Sequence, residues 1–123
     1  MRATLSHAQV YPRLYLYRDE NDCGKRYVWR GNRALRNLDR LYSRLGSLRF
    51  YSPSREGTLV LFSQANFQGR YRIYRGTTNI RNLNALFGGQ GPGSLIISSY
   101  CLKPWQVQMI RRTGCLPAGF VIV

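Results

Sequence analysis

The sequence predicts an all-β fold, built from two copies of one motif with short helical turns between its strands. Three observations predict it. The chain repeats itself at an offset of about 45 residues. Its apolar runs are short and end at Gly, Asn or Pro, as strands do. Its composition is 44% hydrophobic and 13% aromatic with nine tyrosines, which suits a globular chain rich in strands. A length of 123 residues fits one domain around one core.

The duplication is read position by position. Leu14-Tyr15-Leu16-Tyr17 aligns with Leu59-Val60-Leu61-Phe62, and Trp29-Arg30-Gly31 aligns with Tyr74-Arg75-Gly76. Leu35-Arg36-Asn37-Leu38 aligns with Ile80-Arg81-Asn82-Leu83, and Leu41-Tyr42 with Leu86-Phe87. Gly46-Ser47-Leu48 meets Gly93-Ser94-Leu95 after an insertion of about two residues. The copies span residues 11–54 and 56–100, leaving an N-terminal segment (1–10) and a C-terminal extension (101–123). The alternation Arg70-Tyr71-Arg72-Ile73 has the period of two that places one set of side chains on a buried sheet face. Leu35, Leu38, Leu41 and Tyr42, like Ile80, Leu83, Leu86 and Phe87, recur at three and four, which predicts a turn or two of helix over the sheet edge. Asn37 and Asn82 are caps or turn formers there.

In the extension, Trp105, Val107 and Met109 alternate and predict a strand, Arg111-Arg112-Thr113-Gly114 a turn, and Phe120-Val121-Ile122-Val123 a last strand. Such an apolar end must be covered, by the domain's own sheet in the favoured reading or by a neighbour. The second reading makes Trp105, Phe120, Val121 and Ile122 candidates for an assembly tail.

At Phe62-Ser63-Gln64-Ala65-Asn66-Phe67-Gln68-Gly69 an aromatic is followed five residues on by another and two later by glycine, with Ser94 downstream. This resembles the signature of the βγ-crystallin superfamily. The resemblance implies a hairpin at 62–69 folded back over the sheet, Gly69 in a conformation that a side chain would obstruct, and Ser94 tying the hairpin down. In the first copy Tyr17, Gly24 and Ser47 are in place, while Asp22 holds the second aromatic position. The resemblance also implies that the two copies form a two-sheet Greek-key sandwich of βγ-crystallin type around one shared core. Many members bind calcium through two consecutive Asp or Asn, two free positions, then Ser or Thr and a Ser. The equivalent stretches, 42–47 and 89–94, offer no carboxylate, and Arg44 would repel the ion. Neither calcium nor another cofactor is expected.

Nineteen basic residues face five acidic ones, for a formal net charge of +14. Lys25 and Lys103 are the only lysines, so the surface offers planar guanidinium forks for phosphate or carboxylate. After Glu56 no carboxylate follows, and Arg70, Arg72, Arg75, Arg81, Arg111 and Arg112 are the candidate contacts with an acidic partner. Genomic bias toward Arg codons is the bland alternative. Basic residues interleaved with Tyr27, Trp29, Tyr71 and Tyr74 either pair with phosphates while the rings stack on bases, or flank rings that fill the core.

Catalytic chemistry is thinly provided. His7 is the single histidine. Asp19, Glu20 and Asp22 read as a polar hairpin tip beside Arg18, Lys25 and Arg26, Cys23 has no evident base, and Gly88–Gly93 lacks the Lys and Ser or Thr of a phosphate loop. Cys101 and Cys115 either pair or, by default, stay reduced, and one His with three Cys does not suit zinc. No apolar window is long enough for a membrane span or a signal peptide. The expectation is a non-enzymatic module, inside the cell or a virus particle and not secreted. It would pack into a larger assembly, as a minor capsid or cementing component of a virus particle or in a nucleoprotein complex, through its arginine-rich surface, with an acidic protein surface or nucleic acid as partner. A nucleic-acid-binding domain is the alternative. A secreted basic toxin or inhibitor of crystallin-like fold is the second alternative, and it would need export and paired cysteines.

Overall fold

The computed structural model describes residues 11–42 and 44–123; the N-terminal segment with His7, and Ser43, lie outside them. The first copy supplies β1 (Arg13–Asp19), β2 (Cys23–Arg30), β3 (Arg33–Leu35), a single-turn helix α1 (Leu38–Leu41) and β4 (Ser47–Tyr51). The second supplies β5 (Thr58–Gln64), β6 (Gln68–Arg75), β7 (Thr78–Ile80), two 3-10 turns (Leu83–Ala85 and Phe87–Gly89) and β8 (Ser94–Ser98). The extension adds helix α2 (Pro104–Thr113) and β9 (Val121–Ile122).

The strands form a four-stranded sheet, β2-β1-β4-β7, and a five-stranded sheet, β6-β5-β8-β3-β9. The third strand of each copy crosses over: β3 pairs with β8 and β7 with β4, both antiparallel. Between the sheets lie Leu14, Leu16, Leu48 and Phe50 from one and Leu35, Leu59, Leu61, Leu95 and Ile97 from the other, all fully buried. A second buried cluster, Val60, Phe62, Phe67 and Ile96 with Leu102, Val107 and Ile110, covers the opposite face of the five-stranded sheet. Leu59-Val60-Leu61-Phe62 and Leu95-Ile96-Ile97 are therefore unbroken apolar runs, because both of their faces are covered.

The extension corrects one expectation. Trp105, Val107 and Met109 lie on a helix where their alternation predicts a strand. Pro104 is pre-set for the first helical turn, Gln106 Oε1 accepts a 2.8 Å hydrogen bond from the Lys103 N–H, and Gly114 closes the helix at φ 74°. The buried face is Val107 and Ile110, three apart, while Trp105 and Met109 remain 63% and 43% exposed. β9 then extends the chain's own sheet, pairing parallel with β3 through Val121 N–H to Asn32 O (3.1 Å) and Val123 N–H to Ala34 O (2.8 Å). Phe120 packs edge-on against Tyr100 at 5.9 Å.

The turns over the sheet edge differ between copies. Asn37 Oδ1 caps α1 by accepting from the Arg40 N–H at 3.1 Å, and Asn82 Oδ1 accepts from the Asn84 N–H at 3.1 Å. The second copy forms 3-10 turns with Gly88 at φ 68°, outside helical geometry. Cys23, Cys101 and Cys115 are free thiols, so Cys101 and Cys115 do not pair.

The helix makes its residues energetically unequal. Ile110→Ala should lower the unfolding free energy by about 2–5 kcal/mol, and Trp105→Ala should change it by less than about 0.5 kcal/mol. Urea denaturation measures both, and an equal loss at Trp105 would contradict the packing of α2.

Candidate anionic-partner interface

The two hairpins are fastened in the same way. Ser94 Oγ donates to Gln64 O at 2.7 Å and accepts from the Phe67 N–H at 3.0 Å. Ser47 Oγ donates to Asp19 O at 2.6 Å and accepts from the Asp22 N–H at 2.9 Å. Backbone angles repeat as well: Asp22 and Phe67 both have φ 59°, and Gly24 and Gly69 have φ 81° and 82°. Asp22 thus keeps the hairpin without the second aromatic. Phe67 is buried 5.7 Å from Phe62, whereas the Asp22 carboxylate reaches Arg49 at 3.7 Å. Gly46 and Gly93 complete the clamps, since a Cβ would stand 2.4 Å from Asp19 C and 2.6 Å from Gln64 C. Their repetition as Gly-Ser pairs is the signal that reveals them. Gly24, Ser47, Phe62, Phe67, Gly69 and Ser94 accordingly build the scaffold, and Tyr17 stands opposite Arg26 in the four-stranded sheet.

The arginines singled out from the sequence are exposed but scattered. Arg70 and Arg72 on β6 stand 5.9 and 5.7 Å from the Phe87 ring centroid. Arg75 donates to Thr58 Oγ1 at 2.7 Å. Arg81 is on a turn, and Arg111 and Arg112 end α2 beside Gln68 and Gln108 at a shallow depression of about 360 Å³. Among the described residues the ion pairs are Arg44 with Asp19 (2.9 Å) and Arg49 with Asp22, and none of these six takes part. Tyr27, Trp29 and Tyr74 pack on the inter-sheet core and Tyr71 on the cluster under α2, so these rings serve packing. Trp29 Nε1–H donates to Tyr42 Oη at 2.6 Å; burial raises the Tyr42 phenol above its usual range, an effect opposed by that hydrogen bond.

A denser grouping lies on the outer face of the four-stranded sheet. Cross-strand register places Arg13 between Arg30 and Tyr51, Tyr15 between Val28 and Arg49, and Tyr17 beside Arg26. The Arg26 guanidinium lies 5.0 Å from the Tyr15 ring, and those of Arg13 and Arg49 lie 5.6 and 5.5 Å from the Tyr51 ring. Tyr15 and Tyr51 meet edge-on at 5.3 Å. A guanidinium over a ring is held in place while its N–H edges remain available to an anion. At one end a cavity of about 940 Å³ is lined by Tyr11, Arg13, Arg30, Arg33 and Tyr51, with Ser52 and Thr77. The alternations Arg13-Leu14-Tyr15-Leu16-Tyr17 and Leu48-Arg49-Phe50-Tyr51 carry this face in the sequence, once it is known which sheet stays uncovered. Among the described residues no three His, Cys, Asp or Glu gather as a metal site, and no helix is long and apolar enough to cross a membrane.

No protein-family model and no curated protein matches the chain. Solved structures do. A domain from work on the evolution of the eye-lens βγ-crystallin fold superposes with a TM-score of 0.56 at 16% identity, over 72% of this chain and 86% of that one. The chain has the βγ-crystallin fold. Spherulin 3A from Physarum polycephalum is similar at a TM-score of 0.57 and 17% identity, over 74% of this chain and 86% of its own. The N-terminal domain of protein S matches at 0.51 and 16%, over 73% and 99%. Helix α2 and strand β9 follow the two repeats in the chain.

Ser94→Ala would leave the buried Phe67 N–H and the Gln64 carbonyl without their partner, and we expect a loss of about 1–3 kcal/mol in urea denaturation. Ionisation of Tyr42 is disfavoured in the folded state, so its contribution to stability is complete below the ordinary tyrosine range and is lost as pH rises through the raised folded value. Unfolding free energy should therefore fall in strongly alkaline solution, and the fall should be smaller in Tyr42→Phe.

Proposed function

We propose that this chain is a non-enzymatic binding module that joins a larger assembly by presenting arginines to an acidic partner, and that the outer face of the four-stranded sheet is the presenting surface. One observation carries this reading: Arg13, Arg26 and Arg49 are held over Tyr15 and Tyr51 on a single exposed face whose nearby carboxylate is that of Asp22. Preformed guanidinium positions reduce the ordering needed on binding, and complementary charge sets partner choice and association rate. A net charge of +14 draws an acidic surface from a distance. The non-enzymatic reading is supported by the thin inventory of the sequence, with one histidine, three cysteines and five carboxylates and no motif that pairs a nucleophile with a base. A minor or cementing component of a virus particle, or of a nucleoprotein complex inside a cell, is the setting such a module fits.

Purification from the native source under graded salt tests the proposal. The partner should be retained in dilute salt and released as ionic strength rises. Arg26→Gln with Arg49→Gln should weaken retention, with thermal unfolding as the check that the variant still folds once Asp22 has lost its ion partner. Retention by the double variant at high salt would contradict the proposal.

A further inference from the structure

We propose that the cavity at the Arg13 and Arg30 end of the four-stranded sheet is a phosphate site for a single nucleic-acid strand, which continues from there across the outer face. This deepens the proposed function and rests on it, because the site and the presenting surface share Arg13 and Tyr51.

The electrostatics of the cavity point to an anion. Arg13 and Arg30 are direct cross-strand partners, and like charges in that relation repel. Arg33 joins them in the lining, held by its Nε–H to Arg30 O at 2.9 Å with its terminal nitrogens left over. No carboxylate is among the described lining residues, so Arg13, Arg30 and Arg33 share the cavity without a counter-charge from them. A phosphate with several acceptor oxygens relieves that repulsion and accepts from more than one fork.

The aromatic content favours a nucleic-acid strand over an acidic peptide. Tyr11, 58% exposed, and Tyr51 line the same cavity. Unpaired bases stack on an exposed ring such as Tyr11 and on guanidinium planes such as those held over Tyr51, whereas carboxylate side chains use only the charge. Beyond the cavity, Tyr15, Arg26 and Arg49 continue the alternation of ring and fork. A duplex would keep its bases stacked on each other and leave the rings unused.

Fluorescence anisotropy with a labelled oligothymidylate of about 12 nucleotides tests the site. Arg13→Gln with Arg30→Gln should weaken binding by about tenfold or more and make the dependence of log K on log salt shallower by about 1.4. Arg70→Gln with Arg72→Gln removes the same charge from the other sheet and should shift binding by less than about twofold. Thermal unfolding checks that both pairs fold, and Arg33→Gln alone should weaken binding if the first pair does not. Equal weakening by both pairs would overturn the site in favour of charge alone. Displacement of the strand by tripolyphosphate at equal phosphate concentration would overturn the strand as ligand and leave a compact polyphosphate. Displacement by polyglutamate at equal charge would do so in favour of an acidic protein. Failure of the oligonucleotide to bind, while a native acidic partner is still retained through Arg26 and Arg49, would sink the site and spare the proposed function; loss of both would sink the two together.

Discussion

Neither repeat closes its own sheet: β3 leaves the first copy to hydrogen-bond β8 of the second, and β7 leaves the second to hydrogen-bond β4 of the first. Each copy alone would expose the leucines that fill the inter-sheet core and an unpaired strand edge, so the two are obliged to fold as one unit. The serine clamps set the stage for this exchange. By holding each hairpin back over its sheet, Ser47 and Ser94 fix where the chain enters the crossing strands. Gly46 and Gly93 allow that approach because no side chain fits between the clamp and the hairpin backbone.

What the exchange leaves unequal is the outside of the two sheets. On the five-stranded sheet the residues between the core positions are Val60, Phe62 and Ile96, which require a cover, and α2 supplies it through Val107 and Ile110. On the four-stranded sheet the corresponding positions are Arg13, Tyr15, Arg26 and Arg49, which are stable in water. One outer face is thus consumed by the fold and the other is presented. With two ion pairs among the described residues, most guanidinium groups have no internal counter-charge, and electrostatic self-repulsion is a standing burden that an acidic partner would relieve.

The duplication made the fold legible. The paired motifs Gly46-Ser47 and Gly93-Ser94, and the aromatic and glycine positions at 62–69, locate the two copies and their hairpins without a structure. The C-terminal helix was hidden because Trp105, Val107 and Met109 alternate across a segment too short for a helical period to dominate, and the decisive features are Pro104, Gln106 and Gly114. The grouping of arginines and tyrosines on the four-stranded sheet was hidden for another reason. Alternation shows that Arg13 and Tyr15 share a face, but whether that face stays uncovered depends on where α2 packs, a long-range fact. Attention to Arg70 and Arg72 followed the missing carboxylates, and the structure places that pair on β6 of the five-stranded sheet, near the Phe87 ring.

The most direct measurement is a footprint of the bound partner by backbone amide chemical shifts, with polyglutamate and oligothymidylate titrated separately into labelled protein. If the four-stranded sheet is the presenting surface, perturbations on adding either anion that binds should concentrate in β1, β2 and β4. Perturbations centred on β6 and α2, or spread evenly over both sheets, would contradict it.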